Sequence, residues 1–454
     1  MIGSFRRAMR ARVVPIAAGI LLASLASLSA QSTADGASAA ASTGVTLTAE
    51  QAVSRAKTNQ PLIQQALAAV EAARARVGEA QSAYYPSLSG IGSYTYIQPD
   101  QSLAFPPLGT FTLAPSNNWD FHVGLNQVIT QFGKRDVQVK MAESGLAAAK
   151  TGVDQVKTGI SYQAAQVFYT ALFLQEQGKA LDAQYENLQQ HLQVIKVREE
   201  TGSATRLEDL STQVRMAALQ SQRADVENQF QKQKIALCQL TGLDPSTDLT
   251  LRGSFQPRPA PGPAPALVEA ALQNRTDVRQ AVEGEHAADL NARLTVDSLF
   301  PTLSARGTAG YRNGLLPDIN ALTFNWTAGV SLNVPLFQGF LGANALEEAR
   351  KKLEAAKEAT SAVKLSATTQ VLQAAQDVQA ARQQAAISAG ALDQARQMVD
   401  VAKVQYDIGI ISNLEYLDAQ TALETANVSN LAAMYREVLS EYALRQATGE
   451  ILGN

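Results

Sequence analysis

The chain has 454 residues, with 41 acidic and 38 basic side chains and a formal charge of −3. So small an imbalance provides no basic field for nucleic acid. The single cysteine, Cys238, excludes an intrachain disulfide. Beyond the N-terminal segment no run of 18 apolar residues occurs, so any later membrane span has to be β.

Residues 1–26 read as a secretory signal peptide. Arg6, Arg7, Arg10 and Arg12 precede the apolar stretch 13–25, and Ser24-Leu25-Ala26 fits small-x-small cleavage better than Leu28-Ser29-Ala30. The alternative, a membrane anchor, is short of the ~20 residues a spanning helix needs. No cysteine stands near the cleavage site, which closes the lipoprotein route. Residues 27–45, rich in Ser, Thr, Ala and Gly, read as a flexible leader.

The remainder is one half written twice. Asn59 to Ala66 align with Asn274 to Ala281, and Tyr85-Pro86-Ser87-Leu88 with Phe300-Pro301-Thr302-Leu303, both at an offset of 215. Farther on the offset is 207: Trp119 meets Trp326, Gly202 meets Gly409, and Leu207 and Leu210 meet Leu414 and Leu417. Such a period is far beyond the ~20–50 residues of solenoids and indicates two similar halves, 46–245 and 266–454.

No proline occurs between Pro115 and Pro245 or after Pro335. Proline costs a helix interior about 3 kcal/mol, so these gaps permit long helices. The expected helices are 59–85, 134–201 and 203–241, then 274–299, 340–408 and 412–449. Leu181, Tyr185, Leu188, Leu192 and Ile195 step as a heptad seam, as do Leu392, Ala395, Val399, Ala402 and Tyr406. In each half two short helices laid end to end match the long one, at ~100 Å.

Between helices the pattern changes to period two, in hairpins 87–130 and 302–336. Trp119, Phe121, Val123 and Leu125 alternate with Asp120, His122, Gly124 and Asn126. Phe324, Trp326, Ala328, Val330 and Leu332 alternate with polar or small residues. Four strands of about ten residues suit a tilted membrane strand of ~9–11. Tyr94, Tyr96, Trp119, Phe121, Phe324 and Trp326 are candidates for an interfacial girdle in outer-membrane lipid. The alternative is a small sheet on a soluble core, for which the Ala-rich helices offer no broad apolar cover. Four strands cannot close a barrel, and an open edge in lipid is prohibited, so the chain must oligomerise. The Pro-rich run within 246–265 joins the halves as a semi-rigid linker, with a recognition motif as the alternative.

With this layout, the Tyr-Pro-Ser-Leu and Phe-Pro-Thr-Leu junctions, the Val334-Pro335-Leu336-Phe337 entry and the Tyr406-Asp407-Ile408-Gly409 tip, residues 47–450 resemble the TolC family of outer-membrane efflux proteins. The resemblance implies a mainly α chain with a transmembrane β-barrel contribution. Three chains would close a 12-stranded barrel and a 12-helix periplasmic tunnel. The implied partners are two further copies, a periplasmic adaptor and an inner-membrane pump.

Candidate functional residues lie at the helix tips. Glu415 and Asp418, spaced i, i+3, share a helix face, and in a threefold ring they would crowd carboxylates at a constriction, raising some pKa values. The alternative is a solvated helix face. Tyr406 and Glu208 match family positions that hold the closed tip. The basic residue found beyond the glycine in the best-known member is missing, with Ile411 in its place, so the expected lock rests on Tyr406 and packing. Gly202, Ser203, Ala204, Gly409 and Ile410 are candidates for adaptor docking, or plainly two helix caps. His122, His191 and His286 are scattered and read as structural. With no catalytic constellation, cofactor motif or metal-ligand cluster, the expectation is a passive exit duct and not an enzyme. A non-conducting spacer or adhesin is the alternative.

Overall fold

The computed structural model describes residues 45–99, 102–107, 109–256, 259 and 261–450. The signal segment, the leader up to residue 44, and Pro257, Arg258 and Ala260 of the linker lie outside the described residues.

In chain order, β1 (Val45–Leu47) leads into α1 (Ala49–Asn59) and α2 (Pro61–Gln81). β2 (Ser87–Tyr96), a small hairpin of β3 (Ser102–Phe105) and β4 (Gly109–Thr112), and β5 (Asn117–Thr130) follow. Then come α3 (Lys134–Glu200), α4 (Arg206–Thr241) and β6 (Leu249–Leu251). The second set is α5 (Ala264–Asn274), α6 (Thr276–Asp297), β7 (Thr302–Arg312), β8 (Thr323–Asn333), α7 (Leu341–Asp407) and α8 (Asn413–Ala447). The helices α3 and α7 each run 67 residues, about 100 Å at 1.5 Å per residue.

Two helices, α1 and α5, and four strands, β1, β3, β4 and β6, go beyond the expectation. The chain before α2 is itself helical, because Thr48 and Gln51 form a capping box that starts α1. Pro61, at the first position of α2, pushes Gln60 to φ −69°, ψ 125° and separates the two helices. Arg275 makes the same break between α5 and α6 (φ −63°, ψ 130°) without a proline. The strands β1 and β6 pair in parallel beside α1.

The break residues close the far ends of other helices, whose last carbonyls lack intrahelical donors. Gln60 Nε2 donates to the carbonyls of Gln239 (3.3 Å) and Leu240 (3.4 Å), and Asn59 Nδ2 to that of Thr241 (3.1 Å). Arg275 Nη1 donates to the carbonyl of Ala447 (3.1 Å). Thus α4 ends where α2 begins, and α8 ends where α6 begins. Each pair runs along one long helix: α2 and α4 along α3, α6 and α8 along α7. Leu181, Leu188, Leu192 and Ile195 are buried on one seam, and Leu392, Ala395, Ala402 and Tyr406 on the other. The main core sits where α1, α3, α4, α8 and the β1–β6 pair meet, around Phe168, Leu172 and Leu237.

The four-stranded antiparallel sheet runs β2-β5-β7-β8. Tyr94 pairs with Trp119, Phe121 with Tyr311, and Tyr311 with Phe324. Burial on β5 is inverted relative to a sheet on a soluble core. Along β5, Trp119, Phe121, Val123 and Leu125 are exposed, while Asn118, Asp120, His122 and Gly124 between them are half-buried. The strand-to-helix corners are sharp. Consecutive residues Phe132 (φ 50°) and Gly133 (φ 103°) turn into α3, and Gly339 (φ 59°) and Phe340 (φ 67°) turn into α7.

Candidate functional site

The two helix-to-helix turns, 201–205 and 408–412, are built alike. Gly202 (φ 76°) and Gly409 (φ 77°) adopt the left-handed conformation that terminates a helix. The N–H of Ser203 then donates to the Arg198 carbonyl (2.7 Å) and that of Ile410 to the Gln405 carbonyl (2.8 Å). A Cβ on either glycine would meet no atom within 4 Å, so conformation and not space selects glycine. Thr205 and Ser412 cap the outgoing helices, with Glu208 and Glu415 completing capping boxes. Gly202, Ser203, Gly409 and Ile410 are exposed and Ala204 is half-buried.

Glu415 is a cap residue as well as a surface acid. Its Oε2 accepts from the N–H (2.7 Å) and Oγ (2.8 Å) of Ser412. Those donors, the backbone one foremost, hold its carboxyl below the ordinary value. Within one chain the direction is therefore down, opposite to the rise expected of crowded carboxylates in a ring, because the donors favour the charged form. Asp418 is exposed one turn on. Both border a groove of about 610 Å³ between α7 and α8, beside Met398, Val401, Gln405 and Ile411.

Tyr406 and Glu208, from different halves of the chain, do meet. Tyr406 Oη donates to Glu208 Oε2 over a long 3.4 Å, while Glu208 Oε1 accepts from Thr205. More surrounds Tyr406 than that one bond. Its ring stacks on Tyr416 (centroids 5.5 Å, planes 17° apart), and the His191 ring lies 5.1 Å from Tyr406 and 4.6 Å from Tyr416. The Arg198 guanidinium sits 4.9 Å over the Tyr406 ring and reaches Asp407 at 3.3 Å. His191 Nε2 lies 2.7 Å from Asn413 Oδ1. Burial raises the Tyr406 and Tyr416 phenols and lowers the His191 imidazole.

This cluster draws on α3, α4, α7 and α8, and it adds two residues, His191 and Arg198, to the expected set. His191, apart from His122 and His286, is buried and lies within the tip cluster. A basic residue is also present there despite Ile411, supplied by α3 as Arg198. The available signal was the spacing of His191 and Arg198. Seven residues put them on one helix face two turns apart, just before the Gly202 turn.

At the other end, Tyr94, Tyr96, Trp119, Phe121, Phe324 and Trp326 are all exposed. Tyr94 and Trp119 lie 4.5 Å apart, and Tyr311, absent from the expected set, meets Phe324 at 5.5 Å. A second exposed aromatic group lies at the helix junctions: Tyr85, Phe132, Phe300, Phe337 and Phe340. Three of these border the junction prolines Pro86, Pro301 and Pro335, outside the alternating segments that mark the strands. Among the described residues, no helix is long and apolar enough to cross a membrane, and no three His, Cys, Asp or Glu side chains converge as a metal site.

A small antiparallel sheet with exposed aromatics, joined to paired helical hairpins, defines a class, a mainly helical chain with few strands. The family described as outer membrane efflux protein matches residues 52–243 and again 267–450, and the chain belongs to it. The pyoverdine export outer membrane protein OpmQ of Pseudomonas putida is 25% identical over 74% of this chain and 71% of its own length. The outer membrane protein TolC of Vibrio cholerae is 23% identical over 87% of this chain and 89% of its own. Among solved structures, the Campylobacter jejuni CmeC outer membrane channel superposes with a TM-score of 0.76 at 18% identity, covering 88% of this chain and 85% of that one. The chain is accordingly an outer-membrane efflux protein.

Proposed function

We propose that this protein is the exit duct of a tripartite efflux or type I secretion system. Three copies would contribute their four strands each to a 12-stranded barrel and their paired helices to a 12-helix tunnel. The observation that carries this is the alternation along β5: its aromatic face is exposed while the polar residues between are half-buried. Closure with other chains would pair the free edges of β2 and β8, which lipid does not tolerate open. Tyr85 and Tyr94 are nine residues apart. At ~3.3 Å per residue and ~40° tilt they span roughly 23 Å, close to the ~25 Å apolar band of such barrels.

Conduction is passive and requires no catalytic group, cofactor or metal. Energy and cargo arrive from an inner-membrane pump through a periplasmic adaptor. The adaptor docks at the exposed turns around Gly202, Ser203, Ala204, Gly409 and Ile410. Glu415 and Asp418 form the acidic constriction, and Tyr406 with Glu208 belongs to the gate. Residues 1–26 direct export, 27–45 form a leader, and 246–265 tie the two halves together. The relatives are named for pyoverdine export and for cobalt-zinc-cadmium resistance, so family membership does not choose the cargo.

The test is single-channel conductance in a planar bilayer, beside Glu415→Gln/Asp418→Asn. Cation-selective steps whose selectivity drops in the double variant are expected. Unchanged steps would remove the acidic ring and keep the duct. A folded oligomer without conductance, even with an opened tip, would favour a spacer or adhesin.

A further inference from the structure

The tip cluster contains a titratable group that passive conduction does not need. His191 of α3 is buried against the rings of Tyr406 and Tyr416 and bonded to Asn413, the first residue of α8. Two hairpins of the chain are thereby tied through one imidazole.

Asn413 selects the tautomer of the neutral imidazole. Its Nδ2 points to the Glu208 carbonyl and to the hydroxyls of Ser211 and Thr212, each at 3.4 Å. Its Oδ1 is left to accept from His191, so the neutral ring carries its hydrogen on Nε2. A second proton has to enter at Nδ1.

The charged groups around the ring offer little relief. On its own helix, Arg198 is a like charge. From α4, Glu208 already accepts from Thr205 and Tyr406. From α7, Asp407 is engaged by Arg198, and Tyr406 is a neutral phenol. From α8, Tyr416 and Asn413 are neutral. Burial is the main cause that lowers the imidazole's pKa, with Arg198 adding to it. The Asn413 bond, Asp407 and Glu208 act in the opposite direction. A buried cation without a committed counter-charge is relieved by reaching water, and separation of the hairpins provides water.

We propose that His191 is an acid-released latch: neutral, it ties the first hairpin to the second at the tip, and protonated, it loosens them. This rests on the reading of the tip as a gate and adds a trigger to it. Acidification of the compartment around the tip would then favour the open duct without any change in the adaptor.

The experiment places spin labels at Ser203→Cys and Ile410→Cys, one on each turn, with Cys238→Ser to remove the native thiol. Glu415→Gln/Asp418→Asn is included so that the acidic pair does not titrate. Label separation in the intact oligomer is compared between about pH 7.5 and about pH 5, bracketing the ordinary imidazole value of ~6.5. With His191 present, the ratio of separated to latched chains is expected to rise at the acid pH. His191→Gln retains a donor for Asn413 but cannot charge, so its separation should not respond to pH. Asn413→Asp supplies a buried counter-charge and should abolish the acid response. It carries the test if the Gln variant does not fold. An unresponsive parent, or an equal response in His191→Gln, overturns the latch. Ionic current is recorded on the same proteins. Label movement without current counts against the duct and for the latch.

Discussion

Arg198 of α3 and Asp407 of α7 approach to 3.3 Å, joining two helices that belong to different hairpins. The same guanidinium lies 4.9 Å over the Tyr406 ring, so one side chain serves both neighbours. The magnitudes decide which matters more. Asp407 is about half exposed, and an ion pair of that kind contributes about 0.2–1 kcal/mol. The stacked cation contributes about 0.5–1 kcal/mol and falls on a buried ring. Replacing Arg198 with Ala should raise the conducting fraction up to about tenfold, and Asp407→Asn by a smaller factor. Single-channel open probability checks this. A full rescue by the charge-swapped pair Arg198→Asp/Asp407→Arg would make the ion pair dominant and sink the view that Tyr406 is the principal partner.

Arg275 concerns stability and not gating. It donates to the Ala447 carbonyl and to Gln370 and pairs with Asp277 at 2.7 Å. Removing it strands a helix-end carbonyl and a carboxylate. Arg275→Ala should destabilise the oligomer by about 1 kcal/mol, because Asp277 is 43% exposed and water partly replaces the lost partner. Arg275→Gln should retain much of that, because Gln60 performs the equivalent capping with an amide. The acid branch gives a second readout. Hydrogen bonding from Arg275 holds the Asp277 carboxyl below its ordinary value. Its contribution is therefore present above the unfolded value of ~3.9 and disappears as pH falls through the folded one. Unfolding followed from neutral to acid pH should show a shallower acid loss in Arg275→Ala. An unchanged acid limb would exclude the pair as a stabiliser.

Local pattern accounts for what the sequence discloses. The proline-free stretches bound helices close to the expected 134–201 and 340–408, found as Lys134–Glu200 and Leu341–Asp407. Alternation discloses the exposed face of β5, because a period of two is written residue by residue. The break at Arg275 was hidden, since no proline stands there and its cause is the docked end of α8. The second aromatic group was hidden because Phe300, Phe337 and Phe340 flank the alternating segments. The bond of His191 to Asn413 spans 222 positions, and no local period encodes a meeting made by helix packing. Glu208 was accessible only through the family's tip motif and Tyr406 through that motif and the heptad seam, whereas the residues between which they sit were not.

Adjacent positions on one strand separate the two faces of the sheet. Val330 is exposed on the apolar face of β8, while Ser331 bonds to Ser304 across to β7 on the other face (2.8 Å). Val330→Arg should reduce the membrane-inserted oligomer sharply, at about 2–4 kcal/mol for a cation at mid-bilayer. Ser331→Arg should assemble and change conductance. Heat-resistant oligomer in outer-membrane fractions is the measurement. Equal tolerance of both substitutions would return the sheet to a soluble setting.

The charges of the four-stranded sheet share one face. Asp120, Arg306 and Arg312 all fall on the alternate that excludes the aromatics, with Arg312 directly across from Asp120 and Arg306 across from Asn126. Asp120 Oδ1 lies 2.9 Å from His122 Nδ1, whereas neither arginine has an ion-pair partner among the described residues. If this face lines the lumen, each chain adds a net positive charge to the barrel, opposite in sign to Glu415 and Asp418 at the far tip. Rings of charge set ion preference in pores. Arg306→Gln/Arg312→Gln should therefore move the reversal potential in a salt gradient toward cations. In the Glu415→Gln/Asp418→Asn background the intact arginines should leave a duct that prefers anions. The shift should shrink as salt rises, because screening shortens to about 3 Å at 1 M. A reversal potential indifferent to both arginines would place them outside the conduction path and turn the polar face of the sheet away from the lumen.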